Sequence, residues 1–281
     1  MKGNCASCLE FDISKVVKSK DSLKPTWLLQ HDYVSEFINN HGFKLKTPNK
    51  YDVVMDIDLG IKFASKKILY WAANEKETNI PTVVNAKQAY GNFKNSGVIK
   101  TNDKGKAIFK FKCPQLYKAK RSDQPKPITF FRHLHFVVEN NGQWLPQIYT
   151  KIVVCNKSYK ESMKIYDSGY YVFINALPSE YFAKDHIPNS YNLHHSIISK
   201  MTTSQLESWF YEVTKLHYPK LFKYIKNKKI DIYEIPIITY CAHKDCNASE
   251  MALKELMKKG FVNINEYGGG IQEYRKFNPH D

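Results

Sequence analysis

The chain has 281 residues, 43% hydrophobic and 14% aromatic, long enough for two domains that each bury a core. No apolar run reaches the roughly eighteen residues a membrane span requires, and the opening MKGNCASCLEFDI has no signal-peptide core, so a soluble protein without its own secretion signal is expected. The net charge of +15 is uneven: residues 1–158 hold 26 Lys+Arg against 13 Asp+Glu, and the remainder holds 16 against 14.

Only three cations are arginines, Arg121, Arg132 and Arg275, and lysine accompanies abundant asparagine, isoleucine and tyrosine, the coding bias of an AT-rich genome. Such a surface attracts polyanions nonspecifically through counterion release. Without arginine forks or a nucleic-acid motif it argues against specific base readout.

Residues 1–50 form an appendage in which Trp27, Leu28, Leu29, Tyr33, Phe37 and Ile38 predict a short amphipathic helix. Cys5 and Cys8 make a lone CxxC with no second pair at zinc spacing, read as a redox-active tail rather than a metal site. Six cysteines in a chain this long do not predict a disulfide scaffold.

Residues 51–155 read as successive strands: Asp52–Ile57, Lys67–Ala72, Gly97–Lys100, Lys106–Lys112, Phe130–Val138 and Gln147–Val154. In the fourth, Ile108 alternates against Phe109 and Phe111, and turn signals such as Asn102-Asp103-Lys104-Gly105 and Asn140-Asn141-Gly142 lie between strands. The pattern predicts an antiparallel β-sandwich. Residues 156–164 are polar and read as a linker to an α/β domain at 165–281. There a capped helix is expected over Ser204–Tyr218, with Leu206, Trp209, Phe210, Val213 and Leu216 as its inner stripe.

The run Ile237–Gly270 carries the clearest chemistry. A buried strand over Ile235–Tyr240 delivers Cys241 to a polar loop, and a helix follows, so loop amides and a positive helix terminus are aimed at sulfur. Asn247 and Glu250 predict a capping box, Ala252, Leu253, Leu256 and Met257 an inner face, and Gly260 a stop. This run resembles the rhodanese family, and YYVFINALPSEYFAKDHIPNSYNL at 170–193 is similar to that family's first strand and HIPGA-type segment.

The resemblance implies a central parallel sheet and a cysteine that accepts a sulfane sulfur as a persulfide, handing it to a small-molecule or protein acceptor. Cys241 is the expected nucleophile, with Cys246 as partner or substitute and His243 and Lys244 as nearby cations. The chain departs from the family pattern at Asn175 and Leu177, where an acid and an arginine are usual, and at Asp185, where glycine is common. The cysteine loop is about two residues longer than in short-loop rhodaneses. A phosphatase would need an arginine closing a C-x5-R loop, and Asn247 stands there. A buried structural cysteine and a Cys241–Cys246 disulfide are alternatives that the sequence leaves open.

In the first domain, WAAN (71–74), GVIKTNDKGKAIFKFKCPQLY (97–117), RHLHF (132–136) and QIY (147–149) follow one another in an order similar to the catalytic domain of intradiol ring-cleavage dioxygenases. That resemblance implies a ferric site with Tyr117, His133 and His135 as ligands and Gln147 beside the metal. The second tyrosine is the weak match: Asn79 stands in its neighbourhood and Tyr90 is the nearest substitute, while Arg132 lies directly beside His133. Residues two apart on a strand share a face, so both imidazoles reach one metal.

The reading is therefore a dioxygenase-like β-sandwich joined to a rhodanese-like sulfurtransferase domain. The alternatives are a noncatalytic structural or binding protein, of a large DNA virus on composition and then sited in host cytoplasm or virion, and a ferric dioxygenase.

Overall fold

The computed structural model describes residues 32–76, 81–120 and 126–279. Cys5, Cys8, Trp27, Leu28, Leu29 and Asn79 lie outside them. Two compact units divide the chain, one holding Val84–Val153 with the described residues up to Lys76, the other holding the described residues from Val154 onward together with 81–83.

In the first unit α1 (Asp32–Asn40) buries Val34 and Ile38, one turn apart, and stacks Phe37 on Phe93 with ring centres 4.0 Å apart. Then come β1 (Val53–Asp58), β2 (Lys67–Ala72), β3 (Val84–Asn85), α2 (Ala86–Tyr90), β4 (Ser96–Lys100) and β5 (Lys106–Phe111). They are followed by β6 (Tyr117–Ala119), β7 (Ile128–Thr129), β8 (His133–Asn140), β9 (Gln143–Trp144) and β10 (Tyr149–Ile152). The main sheet is antiparallel in the order β10-β8-β2-β4, with β9 on β8, and β1 pairs antiparallel with β5. A small third sheet runs β3-β6-β7, its β3–β6 pair parallel.

Ile68 to Ala72 of β2 are all buried, as a strand covered on both faces requires. On β5 the alternation holds: Ile108 is exposed, whereas Phe109 is buried against Tyr70 and Phe136, ring centres 4.8 and 5.6 Å away. The strand expected over Phe130–Val138 begins only at His133, and Phe130–Arg132 lies between β7 and β8.

The second unit contains α3 (Tyr159–Ser168), β11 (Val172–Asn175), α4 (Ser179–Phe182), β12 (Tyr191–Asn192), α5 (His195–Lys200) and α6 (Thr203–His217). It continues with α7 (Pro219–Lys226), β13 (Ile237–Tyr240), α8 (Ala248–Lys258), β14 (Ile264–Tyr267) and α9 (Gly270–Phe277). Its sheet is wholly parallel in the order β12-β11-β13-β14.

The polar stretch 156–164 is not a linker but the entry to this unit. Ser158 and Glu161 form a capping box that starts α3, Ser162 and Ile165 are buried, and the Lys157 amide donates to the Glu266 carbonyl at 2.7 Å. Its polarity belongs to the cap and to the outer face of an amphipathic helix.

Ile238 and Tyr240 of β13 pack with Ile165, Phe173, Ile187, Tyr267 and Tyr274 on one face. Strand alternation sends Ile237, Thr239 and then Cys241 to the opposite face, which α8 covers with Ala252, Leu253 and Leu256. Leu206, Phe210 and Val213 of α6 are buried as expected, Trp209 is half-buried and Leu216 is exposed. Each such large apolar side chain stabilises the fold by about 1.5–3 kcal/mol.

The expected capping box of α8 is absent. Asn247 has φ −94° and ψ 0°, not the extended backbone a capping side chain needs, and makes no cap bond. Glu250 instead pairs with Lys254 at 2.6 Å on the surface. Gly260, at φ +96°, ends the helix as expected.

Asp185 accepts from Arg275 Nε at 2.9 Å and Nη2 at 2.5 Å, tying the segment before β12 to α9. Cys113 and Cys155 each take part in a disulfide, against the expectation from cysteine number, whereas Cys241 and Cys246 are free thiols. Among the described residues no helix is long and apolar enough to cross a membrane.

The amides of Ile271 and Gln272 hold the carbonyls of Cys241 and Ala242, each at 2.9 Å. That approach requires Gly270: its φ is +62°, and a Cβ there would sit 2.4 Å from the Cys241 oxygen. Gly270→Ala is expected to lower stability by about 1–3 kcal/mol. A urea midpoint equal to the parent's would contradict this.

Candidate active site

The site forms where β13 ends. Cys241 is 1% exposed, and its thiol lies 3.2 Å from the Cys246 carbonyl and 3.8 Å from that of His243. Its Sγ also meets the Ser249 hydroxyl at 3.2 Å, and that hydroxyl donates to Glu266 Oε1 at 2.5 Å. Ser249 is fully buried on the first turn of α8, and Glu266 reaches it from β14. Neither residue was singled out in the sequence. The serine eight positions past the cysteine, on the inner face of a helix, was the signal available.

The loop between the thiols is curled by the Cys246 amide donating to the His243 carbonyl at 3.0 Å. This turn lays Cys246, which is half-buried, back over Cys241. Burial alone would raise the Cys246 pKa; a hydrogen bond from the Cys241 thiol and the amides of Ala248 and Ala242 outweigh it, and the pKa lies below the usual thiol value. Burial pushes the Cys241 thiol the other way, above the usual value, and its contacts with the Ser249 side chain and amide oppose this only in part. Glu266 is likewise raised by burial. The Cys241 sulfur meets the His243 and Cys246 carbonyl oxygens and the Ser249 hydroxyl rather than the ring of amides expected there. His243 and Lys244 are exposed on the same loop.

Where an acid and an arginine are usual in the family pattern, Asn175 is buried with its Oδ1 accepting from the Leu177 amide at 2.9 Å. Those two positions supply turn structure and no charge.

A second cluster lies in the first unit. Tyr90 ends α2, which Asn85 and Gln88 start with a capping box, and Tyr117 opens β6. His133 and His135 share a face of β8, ring centres 4.6 Å apart. Tyr90 Oη donates to Tyr117 Oη at 3.0 Å, and Tyr117 Oη lies 2.7 Å from His133 Nε2. The other His133 nitrogen meets the Phe131 carbonyl at 2.5 Å. A carbonyl only accepts, so Nδ1 carries the proton and Nε2 accepts from Tyr117. His135 Nδ1 is 2.8 Å from Thr150 Oγ1, and its ring centre is 6.2 Å from that of Tyr90. All four expected ligands are thus within one buried cluster. Gln147 is half-buried ahead of β10. Burial holds both phenols well above, and both imidazoles below, their ordinary pKa values, with His133 lowered to about 4.

Residues 158–277, which hold the parallel sheet, the cysteine loop and α8, match a family model described as "Rhodanese-like domain". That stretch is a rhodanese-like domain. Among solved structures, the human single-domain sulfurtransferase TSTD1 is 16% identical over 43% of this chain and 95% of its own, with a TM-score of 0.32. The Saccharomyces cerevisiae single-domain sulfurtransferase RDL2 is 12% identical over 46% and 94%, at 0.33. The chain spans about half of SseA, a 3-mercaptopyruvate sulfotransferase of Escherichia coli, with 17% identity over 47% and 49% and a TM-score of 0.31. No curated protein sequence matches the chain.

Alkylation of the folded protein with iodoacetamide is expected at Cys246, with an inflection below the free-cysteine value of about 8.5 that moves up in Cys241→Ala. Preferential labelling of Cys241 would contradict the assignment of the two environments.

His133 must stay neutral in the fold, because its folded pKa of about 4 lies below the ordinary 6.5. Its contribution is complete above about 6.5 and is lost as pH falls toward about 4. Urea midpoints read by hydrogen exchange on β8 peptides should fall between about pH 7 and pH 5, and less so in His133→Gln. An equal fall in both proteins would refute this origin.

Proposed function

We propose that the rhodanese-like unit is a sulfurtransferase in which Cys246 accepts a sulfane sulfur. The observation that carries this is the pairing of a half-exposed Cys246, on the turn just ahead of α8, with a buried Cys241 whose thiol lies 3.2 Å from the Cys246 carbonyl. The order of the two thiols is the reverse of the one expected from the strand end alone.

The Cys246 thiolate attacks the outer sulfur of a donor such as thiosulfate, the donor's S–S bond breaks, sulfite leaves, and a persulfide remains on the enzyme. The amides of Ala248 and Ala242 then stabilise the persulfide anion. Lys244, exposed on the same loop as His243, supplies positive charge where an anionic donor approaches. The family match and this geometry support the reading, and donor and acceptor are small molecules or proteins of that chemistry. Thiosulfate is expected to release sulfite with the parent protein and not with Cys246→Ser. Full release from Cys246→Ser would overturn the nucleophile.

A second reading attaches to the first unit, where one observation favours it: Tyr90, Tyr117, His133 and His135 converge. We infer a β-sandwich of intradiol-dioxygenase type whose two phenols and two neutral imidazoles fit a ferric ion, since hard oxygen and imidazole donors suit iron. These four residues would hold the ion, whose contribution in that family is ring opening of a bound catechol by dioxygen. Without a cation the proton chain from Tyr90 through Tyr117 and His133 to Phe131 is complete, so the cluster is also consistent with a core polar network. Iron-loaded protein is expected to show visible tyrosinate absorption that Tyr117→Phe weakens. Colourless protein with no bound iron would leave the network reading, and loss of sulfur transfer as well would leave a noncatalytic binding protein.

A further inference from the structure

The two thiols differ in what reaches them. Cys246 is half-exposed on the loop, whereas Cys241 is 1% exposed and touches the His243 and Cys246 carbonyl oxygens and the Ser249 hydroxyl. An external donor or acceptor can therefore attack only through Cys246. A sulfur carried on Cys246, however, has a second thiol beside the same residue, since the Cys241 Sγ lies 3.2 Å from the Cys246 carbonyl. Both thiols are free, five positions apart, and brought together by the His243–Cys246 turn.

We propose that Cys241 is a built-in acceptor: it resolves the Cys246 persulfide by forming a Cys241–Cys246 disulfide and releasing hydrosulfide, so the domain is a dithiol-dependent, sulfide-releasing enzyme. This deepens the sulfurtransferase reading and rests on it. The Cys241 sulfur attacks the inner Cys246 sulfur, a new S–S bond forms, and the bond to the outer sulfur breaks. The two cysteine sulfurs are oxidised by two electrons in total, and the outer sulfur is reduced from sulfane to sulfide. The Cys241 proton passes to the Ser249 hydroxyl, which is already bonded to the Glu266 carboxylate, and is returned on the departing hydrosulfide. Charge balances, with one anion before and one after. A low-molecular-weight or protein dithiol then reduces the disulfide and resets the site.

Ser249 and Glu266 are positioning residues in this scheme. Glu266 presents a half-buried carboxylate to the hydroxyl that touches Cys241, an arrangement that a merely structural cysteine does not need.

The test uses the full chain, reduced and then freed of reductant, mixed with one equivalent of thiosulfate. Sulfite, sulfide and intact mass are followed together. The parent is expected to release sulfite and then one equivalent of sulfide, ending lighter by about 2 Da as a disulfide. Cys241→Ser is expected to release sulfite but no sulfide, holding a persulfide heavier by about 32 Da. Glu266→Gln should slow sulfide release by about tenfold or more while still taking up sulfur. A parent that releases sulfite and keeps a stable persulfide, with no sulfide, overturns this inference and leaves the sulfurtransferase reading standing. Absence of sulfite from every protein overturns both. Sulfide release from Cys241→Ser equal to the parent's also overturns it, by assigning the step to another thiol.

Discussion

The chemistry of the second unit depends on one short turn. The hydrogen bond from the Cys246 amide to the His243 carbonyl folds the loop after β13 back on itself, and this sets a half-exposed thiol beside a buried one that faces carbonyls. Everything else at the site serves that pairing. The parallel sheet fixes Cys241 at the end of its central strand, α9 grips the Cys241 and Ala242 carbonyls through Ile271 and Gln272, and Gly270 permits that approach. Peptide donors lower the cost of charge on one sulfur, and burial raises it on the other, so the thiols divide the work of meeting solvent and standing in reserve.

The first unit shows the complementary case. Its four polar rings are buried so completely that each is held in its neutral form, and their protons form a directed chain from Tyr90 to the Phe131 carbonyl. The donor atoms suit a ferric ion, and the same atoms also satisfy one another. The unit's antiparallel sheets provide the frame for either use, because β8 puts two histidines on one face and α2 and β6 bring the phenols to them.

Much of this was legible in the chain. Strand, cysteine, helix and glycine stop over Ile237–Gly260 follow from periodicity and from Gly260, and the ordered strands at 51–155 follow from alternation and turn residues. The rank of the two thiols was not legible, because it depends on a turn with no periodicity and on amides that any residue carries. Ser249 and Glu266 were missed since a serine in a helix and a glutamate in a strand read as surface positions. The capping box was wrongly expected at Asn247 because residue type does not reveal a backbone at ψ 0°. The stretch 156–164 reads as a linker in sequence because the polar cap and outer face of α3 outweigh its single buried stripe in a short window.

The central claim is that Cys246 carries the reacting sulfur in front of a buried Cys241. Peptide mass spectrometry of Cys241→Ser after a substoichiometric pulse of a persulfide donor tests it most directly, because that variant cannot resolve the adduct through the second thiol. The account predicts the added sulfur on the peptide position of Cys246. Intact sulfur uptake by Cys246→Ser, with the adduct mapped to Cys241, would contradict it.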